Sequence, residues 1–395
     1  MSHGDRIGGG LLLEIHPVNL LSFGPNNKAL DLRALNVLIG PNGSGKSNLI
    51  EVVALMRATY GEMQGEVRRG GGATEWIWKG NSSEPASADL VIANPRGKQP
   101  LRHLLAFRPD DHGFRLEEER IANARPYADY RKPYLFYHLQ NGRAMLNAAG
   151  KERKLSREAV DRELSILAQR RDPELYPEIT YLAEIYAKIQ IYREWSFGRK
   201  TVFRDPQRAD MRNDRLEEDF SNLGLFLNRL RRKPKAKAAI LEGLRDLYEG
   251  VTDFDVIVEG GTVQVFFTEG EFTIPATRLS DGTLRYLCLL AILCDPDPPP
   301  LICIEEPELG LHPDILPNLA DHLVAASERT QLIVTTHSDI VVDAMTDRPE
   351  AVIVCEKHEG ATEMRRLRHE DLLKWLDNYR LGQLWTQGKI GGTRW

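Results

Sequence analysis

The chain has 395 residues, of which 42% are hydrophobic and 28% charged, enough apolar material for a sizeable core and unlike a disordered or fibrous composition. Its 52 Lys and Arg against 57 Asp and Glu leave a formal charge of −5, so the overall field attracts neither nucleic acid nor an acidic membrane surface, and any such binding has to be local. Length alone suggests two or three structural units. Cys288, Cys294, Cys303 and Cys355 sit in apolar runs without a CxxC pair, which points to reduced core thiols and away from zinc or a secreted disulfide framework. The longest apolar stretches, such as residues 284–293, are far shorter than the roughly 20 residues of a membrane span. The polar, glycine-rich start MSHGDRIGGG has no signal-peptide pattern. A cytoplasmic protein without a membrane partner is expected.

In chain order, an apolar run at 11–15 ends at His16-Pro17, and a second begins after the turn Gly24-Pro25-Asn26-Asn27, the pattern of a hairpin. Residues 35–39 read as a short buried strand, followed by a glycine-rich turn and a helix over 48–59. Gly70, Gly71 and Gly72 break the chain, two strand-like runs lie within 88–107, and a third lies at 114–121. From 151 to 248 Arg, Lys, Glu, Leu and Ala dominate. Apolar residues recur there at helical spacing, at Leu164 and Leu167 and again at Ile179, Leu182, Ile185 and Ile189, which predicts a helical insertion. Asp172-Pro173, Tyr176-Pro177 and Pro206 interrupt it and exclude one long coiled coil.

Strands return after residue 249, with 255–259 and 262–267 joined by Gly260-Gly261 as a hairpin. A helix over 283–294 stops at DPDPPP, and the nearly continuous apolar run 301–304 suits a strand buried on both faces of a parallel sheet. A helix over 313–327 and a strand over 331–335 follow, then a plain hairpin within 351–367. The alternation predicts an α/β fold with a mixed sheet, organised as an N-terminal lobe (1–150), a helical insertion (151–248) and a C-terminal lobe (249–395).

The sharpest chemical signal is Gly40-Pro41-Asn42-Gly43-Ser44-Gly45-Lys46-Ser47, a full GxxxxGKS between a strand and a helix. The glycines let successive N–H groups converge on phosphate oxygens, the helix N-terminus adds its dipole, Lys46 reaches the β and γ phosphates, and Ser47 ligates Mg²⁺. Asn48, at the start of the helix, belongs to the same phosphate-binding set. A second signal is Leu301-Ile302-Cys303-Ile304-Glu305-Glu306-Pro307, in which four apolar residues carry two acids to the C-terminal end of a buried strand, where ligands collect in open α/β sheets. Glu305 would hold the water shell of the magnesium and Glu306 would polarise an attacking water as general base. Arg278-Leu279-Ser280-Asp281-Gly282-Thr283 opens a helix, and Thr335-Thr336-His337-Ser338 ends the next apolar strand.

In this order and spacing the motifs resemble those of the ABC-type ATPases, within them the branch of SMC, RecF-like and OLD-like proteins. Gly40 to Ser47 is similar to the Walker A loop, and residues 301–306 to the Walker B strand. Residues 279–283 are similar to the signature, with Ser280 lying 25 residues before Glu305. His337, 31 residues past Glu306, resembles the switch histidine that meets the γ-phosphate, and residues 308–312 stand where the D-loop runs along a partner subunit. The wording Glu-Glu-Pro-Glu-x-Gly-Leu-His-Pro and the tail at 384–392 resemble a bacterial group of AAA-family ATPases found in antiviral defence loci. The resemblance implies a P-loop NTPase with an ABC-type head and ATP and Mg²⁺ as cofactors. It also implies a homodimer or higher homo-oligomer in which Ser280 and Gly282 of one subunit seal the ATP of the other.

Three positions depart from the family pattern. Asp281 and Thr283 replace a glycine and the glutamine of the signature, Glu305 replaces the Walker B aspartate, and Gln169 is the best candidate for the Q-loop glutamine that would touch the metal, an ordinary solvent-exposed helical glutamine being its plain alternative. The basic run at 229–237, RLRRKPKAK, leaves nucleic acid open as a partner, a solvated helix face being its plain alternative. Only 58 residues follow His337, too few for a Toprim nuclease domain, so the expected output is control of a separately encoded effector. The alternative is a RecF- or SMC-like repair ATPase that grips DNA.

Overall fold

The computed structural model describes residues 10–393 apart from 81–83, 111–112, 129, 149, 197, 199–200, 202–203 and 205, together with the main chain but not the side chain at 157. The start of the chain read above for a signal peptide, residues 1–9, lies outside the described residues. The chain divides into two compact units. One comprises Met1–Ile189, Ile353–Leu367 and Ile390–Trp395, the other Gln190–Val352 and Arg368–Lys389.

The first unit holds β1 (Leu12–Val18), β2 (Leu30–Asp31), β3 (Leu35–Ile39), β4 (Ala86–Ile92), β5 (Leu101–Asp110), β6 (Gly113–Asn123), β7 (Leu135–Gln140), β8 (Arg143–Ala148) and β9 (Lys151–Leu155). Its helices are α1 (Lys46–Ala58), α2 (Met63–Arg69), α3 (Ala73–Trp76), α4 (Ile166–Gln169) and α5 (Pro177–Tyr186). The second unit adds β10 (Gln190–Tyr192), β11 (Gln207–Arg208), β12 (Val251–Glu259), β13 (Thr262–Glu269), β14 (Phe272–Pro275), β15 (Leu301–Glu305) and β16 (Gln331–Thr335). Its helices are α6 (Leu223–Leu230), α7 (Pro234–Leu247), α8 (Asp281–Leu293), α9 (Leu316–Ser327), α10 (Asp339–Asp343), α11 (His369–Leu376) and α12 (Leu381–Thr386). The late strands β17 (Val352–His358) and β18 (Ala361–Arg366) return to the first unit.

In the first unit eight strands form one antiparallel sheet in the order β2-β1-β4-β5-β6-β7-β8-β9. Beside it, β3 neighbours β17, which pairs antiparallel with β18. All five side chains of β3 are buried, as its unbroken apolar run requires. In the second unit β15 lies between β10 and β16, both parallel to it. Every residue of α8 from Leu284 to Leu293 is buried, so only the first turn of that helix is open to solvent. The predicted hairpin at 255–267 is the centre of β12 and β13, and Gly260 and Gly261 take φ of 57° and 78°, the left-handed pair that a two-residue turn needs.

Two expectations are corrected. The region 151–248 is not helical throughout: besides α4 to α7 it opens with β9 on the edge of the eight-stranded sheet, places β10 beside β15, and supplies β11 to a small sheet with β13. The spacing read at Ile179, Leu182 and Ile185 belongs to α5, which Pro177 starts, while Ile189 already stands at the entry to β10. For the same reason the chain divides at 189/190, and not at 150/151 and 248/249. Among the described residues, no helix is long and apolar enough to cross a membrane.

Candidate functional site

The glycine-rich loop leaves β3 and enters α1 at Lys46. Gly45 is the N-cap with φ 97°, no side chain caps the helix, and its first turn contains no acid. The N-terminal N–H groups are therefore left for an anion, the situation that a helix dipole favours. Lys46 is buried and folds its Nζ back onto the carbonyl oxygens of Gly40 (2.8 Å) and Pro41 (3.1 Å). The Ser44 hydroxyl is buried with no hydrogen-bond partner, and Ser47 is exposed on the first turn. An orphaned hydroxyl, a cation parked on carbonyls and an uncapped helix start fit the phosphates of a nucleotide with Mg²⁺ on Ser47.

Residues outside the motif brace this loop. The Thr362 hydroxyl, on β18, donates to the Ser44 carbonyl at 2.9 Å and lies 2.6 Å from Ser22 Oγ, which in turn accepts from Asn48 Nδ2 at 2.7 Å. A Cβ at Gly45 would stand 2.1 Å from Thr362 Oγ1, so glycine is required there by close approach as well as by its φ. Neither Ser22 nor Thr362 carries any local sequence signal, since both reach the loop from far along the chain. Cys355, behind the loop, has its thiol pushed up to about 12 by burial, the inert core thiol expected.

In the second unit the acid pair stands at the end of β15. Glu306 takes φ 44°, a left-handed conformation that a non-glycine residue adopts only when its surroundings hold it. The hold is visible. Its N–H donates to Thr335 O (3.0 Å) and lies 3.2 Å from Thr335 Oγ1, while its carbonyl accepts from Arg285 Nη2 at 2.9 Å. His337 Nε2 lies 3.6 Å from the Glu306 carboxylate, and the His337 N–H donates to Glu308 Oε1 at 2.6 Å. Burial pushes the Glu308 carboxyl up, partly offset by that backbone hydrogen bond. The Glu305 carbonyl accepts from Trp195 Nε1 at 2.7 Å. Arg285 stacks over the Trp195 ring at 4.4 Å, and burial pulls its guanidinium down to about 10, still cationic at neutral pH.

The first turn of α8 adjoins these acids. Ser280 is its N-cap, with Oγ accepting from the Thr283 N–H at 3.1 Å, and Gly282 sits so close to the 308–312 loop that a Cβ there would lie 3.2 Å from the Gly310 carbonyl. Arg204 donates to the Leu279 carbonyl (2.9 Å) and to Asp281 Oδ1 (2.5 Å). The acid that departs from the family pattern is thus already paired. Within this unit the fold gathers Ser280, Gly282, Glu305, Glu306 and His337, and within the first unit it gathers Gly40 to Asn48.

Gln169 is a correction. Its Oε1 accepts from the Asp161 N–H, and its Nε2 donates to the carbonyls of Asp161 and Leu164, so the carboxamide is spent on holding the 161–165 turn and is not available as a metal ligand. The basic run at 229–237 is corrected too. Arg229 pairs with Asp295, Arg231 with Asp255, Lys233 with Asp297 and Lys237 with Asp253, so most of its charge is answered from within the fold.

A glycine loop on an uncapped helix, with an acid pair ending a parallel strand, defines the class as a P-loop NTPase, and the fold is that of SMC head domains. The chain resembles the Smc head with an extended coiled coil bound to the C-terminal domain of ScpA from Pyrococcus furiosus, at TM-score 0.58 and 14% identity over 93% of this chain and 98% of that one. It also resembles the SmcHead bound to the C-winged helix domain of ScpA, at TM-score 0.54 and 16% identity over 92% and 99%. A third likeness is the Smc head with a coiled coil and joint from Pyrococcus yayanosii, at TM-score 0.53 and 12% identity over 93% and 99%. Residues 35–343 match the family described as "AAA domain, putative AbiEii toxin, Type IV TA system", and the chain belongs to that family. No curated protein matches it.

Proposed function

We propose that the chain binds ATP at Gly40 to Ser47 and hydrolyses it as a nucleotide-dependent homodimer, serving as the regulatory subunit of a separately encoded effector nuclease in antiviral defence. The observation that carries the catalytic part is Glu306, a carboxylate held in a left-handed conformation with an imidazole 3.6 Å away. In this reading Lys46 leaves its carbonyl partners to neutralise the β and γ phosphates, Glu306 takes a proton from the attacking water, and His337 orients the Glu306 carboxylate. Bound Mg²⁺, held by Ser47 and by Glu305 through its water shell, would spread the phosphate charge.

Ser280 and Gly282 serve the nucleotide of a second copy, because the first turn of α8, with the Ser280 hydroxyl and the positive end of the helix dipole, is the exposed end of an otherwise buried helix. Leu309, a large apolar side chain 56% exposed beside Gly310, suits a surface that a second copy covers. The defence role draws on the family description, which names a toxin of a toxin–antitoxin system. A DNA-gripping repair ATPase is less favoured, since the paired charges at 229–237 remove phosphate contacts it would draw on.

The test is Glu306→Gln. Nucleotide binding measured by calorimetry should persist while turnover slows by about 10² or more, the range of a lost general base. Unchanged steady-state hydrolysis would remove Glu306 from the mechanism.

A further inference from the structure

A cavity of about 460 Å³ opens in the first unit, and neither the glycine loop nor the acid pair uses it. Its floor is one face of the β7-β8-β9 ribbon. Tyr137 pairs with Leu146 and Asn147 with Glu152, so by strand alternation Phe136, Met145, Asn147 and Glu152 share that face while Tyr137 turns to the buried one. The wall is the segment before β7, where Tyr127, Tyr130 and Tyr134 stand 40%, 70% and 37% exposed. Tyr134 and Phe136 meet edge to face at 5.1 Å. Asn147 Oδ1, shielded from solvent, has no hydrogen-bond partner.

Three exposed tyrosines within eight residues are hard to explain as packing, and a buried carboxamide oxygen without a donor costs free energy that a ligand would recover. The charge around them is as distinctive. Between residues 125 and 155 the sequence has seven Arg and Lys against two acids, in a chain whose net charge is −5. Among the described residues none of these seven basic side chains is in an ion pair, in contrast to the neutralised run at 229–237.

We propose that this cavity binds a base of a single-stranded nucleic acid. The base stacks among Tyr130, Tyr134 and Phe136, and the Asn147 and Glu152 oxygens accept hydrogen bonds from its amino edge. Lys132 in the wall and Lys154, which pairs with Met145 on the cavity face, meet the neighbouring phosphates. Interleaved aromatic and basic residues are what single-strand recognition uses, because every base has a stacking face and every linkage a charge. A duplex hides its base faces, and a cationic peptide, although suited to the tyrosines and Glu152, is repelled by the surrounding positive charge. The proposal stands apart from the ATPase reading and survives its failure.

The experiment is fluorescence anisotropy of the full chain with labelled single-stranded RNA, single-stranded DNA and duplex DNA of about 12 nucleotides, a length within the usual single-strand site sizes. One or both single strands should bind more tightly than the duplex, and whichever binds identifies the polymer. Tyr130→Ala should weaken that binding roughly tenfold, as for a lost base stack, while Tyr130→Trp retains it. Because Tyr130 is mostly exposed, its variants should keep the melting temperature and nucleotide hydrolysis of the parent. The double variant Lys132→Glu with Lys154→Glu should flatten the log–log salt slope by about 0.7 per lost contact. Absence of single-strand binding at low salt, single-strand affinity indifferent to Tyr130→Ala, or tighter binding of the duplex or of an arginine-rich peptide would each overturn the proposal.

Discussion

Arg204 donates a hydrogen bond to Asp281 at 2.5 Å and a second to the Leu279 carbonyl at 2.9 Å, so the carboxylate in the first turn of α8 comes with its own cation. On the proposed reading, Arg204 neutralises an acid that would otherwise face the phosphates of a second copy's nucleotide. Arg204→Ala should therefore cost about 1 kcal/mol of stability, at the low end for charged hydrogen bonds because Asp281 is half exposed. It should also lower ATP hydrolysis, and Asp281→Gly added to it should recover activity. A double variant no more active than Arg204→Ala would show that Arg204 acts on folding alone.

The backbone of Glu306 yields a stability prediction independent of catalysis. At φ 44° a side chain with a Cβ is strained, and a β-branched one more so. Glu306→Val should lower the unfolding free energy by about 1–2 kcal/mol, whereas Glu306→Gly should unfold no earlier than the parent. A drop of several degrees for the glycine variant in calorimetry would mean that the side chain, not the backbone, is what the fold requires there.

Glu308 predicts a pH dependence. Burial raises its folded carboxyl above the unfolded value, so the folded state favours the protonated form, and that contribution to stability is complete below the unfolded pKa and lost as pH rises through the folded one. Glu308→Gln keeps an oxygen for the His337 N–H but does not titrate. Its melting temperature relative to the parent should therefore rise between about pH 4 and pH 7. A constant difference across that range would contradict the assignment.

Assembly is tested by complementation. Lys46→Ala should weaken binding of a non-hydrolysable ATP analogue, because the point charge on the β and γ phosphates is gone. Ser280→Arg should leave that binding largely intact and abolish hydrolysis. If Ser280 serves a second copy, mixing the two variants gives dimers in which one site has both defects and the other neither, and part of the activity returns. A mixture as inactive as its components, or a monomer with full ATPase activity in ultracentrifugation, would rule out the shared site.

The local signals in the sequence were strong where one short segment does the work. GxxxxGKS needs only its own strand, turn and helix to be recognised, and four apolar residues ending in two acids announce a buried strand with its chemistry at the tip. Where chemistry is assembled from distant segments, the sequence was silent. Thr362 braces the loop at Ser44 from 318 residues away, and Trp195 reaches Glu305 across 110. Neither residue type is unusual in itself, and only the fold brings it within hydrogen-bond range.

Charge shows the same division. Read along the chain, RLRRKPKAK is an unanswered basic stretch, yet its acids arrive from Asp253, Asp255, Asp295 and Asp297, brought near by β12 and by the turn after α8. The less conspicuous positive excess at 125–155 finds no ion-pair partner among the described residues, and three of its seven basic residues lie on β9, the edge strand of the sheet. Sequence alone determined the phosphate loop, the acid pair and the strand–helix alternation, since these follow from periodicity and from covalent neighbours. Tertiary structure alone decided which charges are neutralised, which glycines tolerate no Cβ, and that Gln169 is occupied by main chain, because each depends on what a residue meets in space.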